Sequence, residues 1–109
     1  MSALPPATGS SRYAPYVEKL LASMTQTPGE LAPEIRAAIV AGETTSIPPA
    51  LLSYVIKVAL HAYKVTDEDV LQLKRDGLSE DEIFEATAAT AIGAALLRLD
   101  RGMAALRGT

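Results

Sequence analysis

Residues 61–99 read HAYKVTDEDVLQLKRDGLSEDEIFEATAATAIGAALLRL. Two helix starts, one helix stop and one apolar helix body follow each other along that stretch. In the second start, Ser79 is placed to accept from the amide of Glu82 while the Glu82 carboxylate reaches back to the amide of Ser79, the reciprocal arrangement of a capping box. Leu78 and Ile83 hold the positions of the hydrophobic staple that accompanies it. Thr66 and Asp69 repeat the spacing with a shorter acid, and Val65 and Val70 take the staple positions. Gly77 lies between the two segments, free to adopt the left-handed conformation that ends a helix, so the stretch predicts a helix–turn–helix corner.

Beyond the corner, Ala86 to Leu97 reads ATAATAIGAALL without a charge. A helix apolar all round is expected to be buried all round. Ala86, Ala89, Gly93 and Ala94 fall near one face and are small enough to admit another backbone, either at the centre of the domain or at a subunit contact. Acids at the start (Glu80, Asp81, Glu82) and arginines near the end (Arg98, Arg101, Arg107) complement the helix dipole. One long helix from about Ser79 to Leu106 is the expectation.

Working outward, residues 1–11 are rich in Pro, Ser, Ala and Gly and read as a flexible tail, with a single all-helical domain over 12–109. Arg12 to Met24 places Tyr13, Tyr16, Val17, Leu20, Leu21 and Met24 on one helical face. Thr27, Pro28 and Glu30 resemble a further helix start, giving one short turn before Pro33 interrupts it. A helix is then expected from about Pro33 to Ala41, stopped by Gly42, with Leu31, Ile35, Ala38 and Ile39 as its buried edge. Pro48 and Pro49 open a third helix reaching about Tyr63. No segment alternates as a strand does, and the fold class read from the chain is all-α, with about five main helices.

The 109 residues suit one domain, and one small enough that oligomerisation would help to bury apolar area. Hydrophobic residues make up 49% of the chain, yet there are only four Tyr, one Phe and no Trp, a composition suited to packed helices. A net charge of −3 gives no reason to expect nucleic acid or an anionic membrane as partner. The chain has no cysteine, which removes disulfides, thiolate ligands and thiol catalysis together. Neither a signal-peptide pattern nor an uncharged run of membrane-spanning length is present, so a cytoplasmic protein is the expectation.

Candidate chemistry centres on the third helix. Ser53, Lys57, His61 and Lys64 recur at intervals of four, four and three and share a face. Lys57 is suited to binding an anionic group and His61, the single histidine, to moving a proton, with Tyr54 or Tyr63 nearby. The same stripe also fits the solvated face of an otherwise buried helix, with Lys57 extending its stem along apolar surface. Asp67, Glu68 and Asp69 read either as an acid–base or metal cluster or as acids in a helix's first turn. No Glu-x-x-His pair, phosphate-cradling glycine loop or nucleophile elbow occurs, so neither a metal nor a cofactor is expected.

The run from Ala62 to Leu99 resembles the carboxymuconolactone decarboxylase and alkylhydroperoxidase D superfamily. Redox members carry C-x-x-C-x-x-x-H, and eight residues after that His comes a Gly followed by an S/T-x-x-E/D-I helix start. Here the Gly is Gly77, followed by Leu78, Ser79, Glu80, Asp81, Glu82 and Ile83; Asp69 falls at the His position and Ala62 and Val65 at the two Cys positions. The match covers about a third of the chain. It implies an all-helical bundle assembled as a trimer or hexamer, a site near the helix corner between subunits, and a family label of peroxiredoxin-type activity. Neither an alanine nor a valine side chain can attack a peroxide. The function expected is therefore binding or transformation of a small organic acid without thiol chemistry, with Lys57, His61 and Asp69 as candidate catalytic residues and Tyr54, Tyr63 and Lys64 as candidate substrate contacts. The alternative is a non-catalytic homo-oligomeric scaffold.

Overall fold

The structure is a computed structural model that describes residues 14–26 and 28–108. Among them are five α-helices: α1 (Ala14–Gln26), α2 (Pro33–Ala41), α3 (Pro49–His61), α4 (Asp67–Arg75) and α5 (Glu80–Gly108), with a 3₁₀ turn at Ala62–Lys64 between α3 and α4. The described residues contain no strand. The expected tail at 1–11, the expected helical residues Arg12 and Tyr13, and the cap position Thr27 lie outside the described residues.

The punctuation works as the residue types dictate. Pro33 and Pro49 open α2 and α3, where a missing N–H costs nothing. Gly42 ends α2 at φ 72°, its amide reaching back to Ala38 and Ile39. α3 stops at His61, two residues short of Tyr63. The 3₁₀ turn and the extended Thr66 that follow bring the chain into position for the α4 cap, which a continued helix would prevent.

The corner forms as read. Thr66 and Asp69 complete one capping box, and Ser79 and Glu82 the other, at 2.9 and 3.1 Å. Gly77 takes φ 99°. The Leu78 amide donates to the Leu73 carbonyl across the turn, at 3.1 Å, the bond that identifies a Schellman ending. Val65, Val70 and Leu78 pack against the core, to which Ile83 belongs.

Residues 28–32 correct the sequence reading, since no helical turn starts at Pro28. The amides of Glu30 and Leu31 donate instead to the carboxylate of Glu85 on α5, at 2.9 Å each. A cap supplied from 54 residues away replaces a local one.

The core is centred on Leu51, Ala86 and Ala89, where the first half of α5 meets α2 and α3. The small-residue face is the centre of the domain: a Cβ on Gly93 would stand 2.6 Å from the Val40 carbonyl oxygen, so only glycine lets α2 approach this closely. Burial all round does not hold within one chain. Ala91, Ala95 and Leu97 are exposed, and no residue of α5 after Thr90 is buried. A helix of 29 residues, roughly 43 Å long at 1.5 Å per residue, outruns partners of 9 and 13 residues.

Candidate functional site

The outer end of α3 and the first turn of α4 bring Lys57 and Asp69 together. Lys57 Nζ donates to Asp69 Oδ2 at 2.8 Å, and both side chains are about one-third exposed or less, at 34% and 28%. The same carboxylate oxygen accepts the Thr66 amide at 2.8 Å and the Thr66 hydroxyl at 3.2 Å. The Lys57 ammonium, with the Thr66 amide next, holds the Asp69 carboxyl below the usual aspartate range. One aspartate thus caps α4 and ties it to α3. An acid held ionised in this way is a weak proton acceptor.

His61, Tyr63 and Lys64 are all exposed. The His61 and Tyr63 rings meet edge to face at 6.0 Å, and Lys64 Nζ lies 5.8 Å from the Tyr63 ring centre. These three cluster around the 3₁₀ turn. Tyr54 is separate from them: it is buried, and its hydroxyl lies 2.7 Å from Thr87 Oγ1. Because the Thr87 hydroxyl proton goes to the Ile83 carbonyl, Tyr54 is the donor of the pair, and its one proton is spent inside the core. At the positions singled out by the resemblance, Ala62 is exposed while Val65 and Asp69 are half-buried.

Two features were not found from sequence. Arg36 is 3% exposed; its Nε donates to the Leu31 carbonyl at 3.1 Å and a terminal nitrogen to the Met24 carbonyl at 2.7 Å. Glu85 Oε1 lies 3.9 Å from the same Nε. Together they fasten α1, the 28–32 bend, α2 and α5 around a small pocket of about 230 Å³. An arginine inside the apolar run EIRAAIV was the available signal, since a buried charge must have partners.

The second feature is an open groove of about 1220 Å³ along the second half of α5, walled by Leu21 of α1, Val40 of α2, and Ile56 and Leu60 of α3, over Gly93 and Leu97. Its apolar walls are separate residues of unremarkable helical faces, so nothing in the linear pattern shows that they converge. Among the described residues no three His, Cys, Asp or Glu side chains are grouped to hold a metal ion, and no helix is long and apolar enough to cross a membrane. Comparison with known protein families, curated proteins and solved structures finds no match to this chain.

Proposed function

We propose that this chain is a cysteine-free protein of the carboxymuconolactone decarboxylase and alkylhydroperoxidase D kind, binding or transforming a small organic acid at the α3–α4 corner without thiol chemistry. The observation that carries this reading is the Lys57–Asp69 pair at 2.8 Å. Asp69 takes one of the three ammonium donors and keeps the Thr66 bonds if Lys57 swings to a ligand. Lys57 then holds the carboxylate of the acid, His61 one turn further along α3 exchanges a proton with it, and Tyr63 with Lys64 covers its open side. The buried hydroxyl of Tyr54 positions α3 on α5 rather than touching the ligand. With no thiol present, peroxide reduction by a cysteine pair lies outside this chemistry.

The test is titration of isotope-labelled protein with small carboxylates, succinate and benzoate first, followed by amide NMR. Shifts are expected at Lys57, His61 and Asp69, with Lys57→Met weakening binding about tenfold or more, as for loss of a charge-assisted hydrogen bond. Shifts elsewhere only, or equal binding by Lys57→Met, would refute the corner as the site.

A second reading, that the chain serves as a self-assembling scaffold, is supported by the apolar groove and by the exposed Leu97, Leu99 and Leu106 of α5.

A further inference from the structure

The turn between α4 and α5 carries a reactive pair of neighbours. Of the five aspartates only Asp76 precedes a glycine, and the chain contains no asparagine. In an aspartyl–glycyl link the side-chain carboxyl and the next amide nitrogen face little obstruction, since glycine has no Cβ to crowd the nitrogen. Asp76 and Gly77 are both exposed, and nothing lies within 4 Å of the place a Cβ would take on Gly77. The pair is open to water and sterically free to close a ring.

We propose that Asp76–Gly77 is a site of spontaneous isomerisation to isoaspartate, held in check by the closed helix corner. The Gly77 nitrogen attacks Asp76 Cγ; a C–N bond forms, a Cγ–O bond breaks, and the hydroxyl leaves with the amide proton as water. Water then adds to either carbonyl of the cyclic imide. Breaking the bond from nitrogen to Cγ restores aspartate. Breaking the bond from nitrogen to the Asp76 main-chain carbonyl leaves the chain running through Cγ. The sequence of steps consumes no oxidant, reductant or co-reactant beyond water.

The corner opposes the first step in three ways. Asp76 has ψ 0°, which sets the Gly77 nitrogen against the nitrogen of Asp76 itself, whereas the ring needs it alongside Cβ. The Gly77 amide donates to the Lys74 carbonyl at 3.0 Å and the Leu78 amide to the Leu73 carbonyl at 3.1 Å. Asp76 Oδ1 accepts from Gln72 Nε2 at 3.2 Å. Turning the Asp76 Cα–C bond breaks the two backbone bonds and swings α5 away from α4, a local opening of the molecule. Leu78, packed against the core that contains Leu73, resists that opening. Isoaspartate adds one carbon to the main chain where α4 ends, so the two bonds of the Schellman ending lose their register. A change made while the corner is open thus keeps it from closing again.

The test is incubation of the full chain at neutral pH and physiological temperature, with peptide mapping by electron-transfer fragmentation to tell isoaspartate from aspartate. Isoaspartate is expected at position 76 and not at Asp67, Asp69, Asp81 or Asp100, and more slowly than in the same chain unfolded in guanidinium chloride. Leu78→Ala, shown by circular dichroism to remain folded, is expected to react about tenfold faster, because the apolar contact that closes the corner is truncated. Asp76→Glu, which would have to close a larger ring, is expected to stay unmodified. Absence of isoaspartate at 76 in the folded chain overturns the site. Equal rates in the folded and unfolded chains, or a Leu78→Ala rate no higher than that of the unmodified chain, overturn its control by the corner.

Discussion

Two glycines separate conformational strain from crowding. Gly77 stands at φ 99° with nothing within 4 Å of a notional Cβ, so Gly77→Ala meets only the backbone penalty and is expected to cost about 1 kcal/mol. Gly93 has ordinary helical geometry, but an added Cβ meets the Val40 backbone, which cannot rotate aside. Gly93→Ala is expected to cost about 1–3 kcal/mol through displacement of α2. Urea unfolding of both variants checks the ranking, and a milder effect at Gly93 than at Gly77 would contradict the close α2–α5 approach. Acid sensitivity is also set by single residues. The Ser46 hydroxyl, then the Thr45 hydroxyl and amide, hold the Glu43 carboxyl down from 4.5 to about 2, and Asp69 is lowered as well. A carboxyl held low in the folded chain stabilises it fully above the unfolded value, and that contribution is lost as pH falls through the folded one. Stability is therefore expected to be level near neutrality and to fall below about pH 4.5 toward about 2. Glu43→Gln should flatten part of that fall in unfolding midpoints measured across the range.

At the scale of elements, the bonds formed within four residues were legible and the distant ones were not. Both capping boxes, the Gly77 and Gly42 stops and the proline starts are chemistry between near neighbours, and the chain writes them out. The approximate α2 range was readable because Pro33 and Gly42 bracket it. Thr27 to Glu30 misled because an acid after a proline has the form of a helix start, whereas the amides at 30 and 31 are claimed by Glu85. That carboxylate satisfies two backbone donors and faces a buried guanidinium. Glu85→Ala is expected to destabilise the protein by about 1–3 kcal/mol, since it leaves polar groups without partners. Thermal melting should show a loss well above that of Glu80→Ala, whose exposed pair with Lys74 is the control. A loss no larger than the control's would mean that the bend holds without its cap.

For the whole molecule, the face shared by Lys57 and His61 was visible in the spacing, but Lys64 falls in the 3₁₀ turn beyond the end of α3, and the division into a half-buried ion pair and an exposed ring cluster was not visible. That division depends on α3 ending at His61, which the helical pattern of residues 49–63 does not announce. Tyr54 illustrates the same limit: its place on α3 was clear, while the hydroxyl of Thr87 that claims its proton lies 33 positions away. The apolar length of α5 was plain from sequence, but only three dimensions show that, among the described residues, its buried positions all lie in its first half.

The carboxylate of Glu85 also sets an order of events on the ribosome. Translation releases the amides of Glu30 and Leu31 some 55 and 54 residues before the side chain that binds them. Each capping box, by contrast, is whole within four residues of synthesis. The α3–α4–α5 corner can thus close as it emerges, since short loops cost little entropy to close. The bend at residues 28–32 has to wait for its cap until Glu85, near the start of the last helix, has been made.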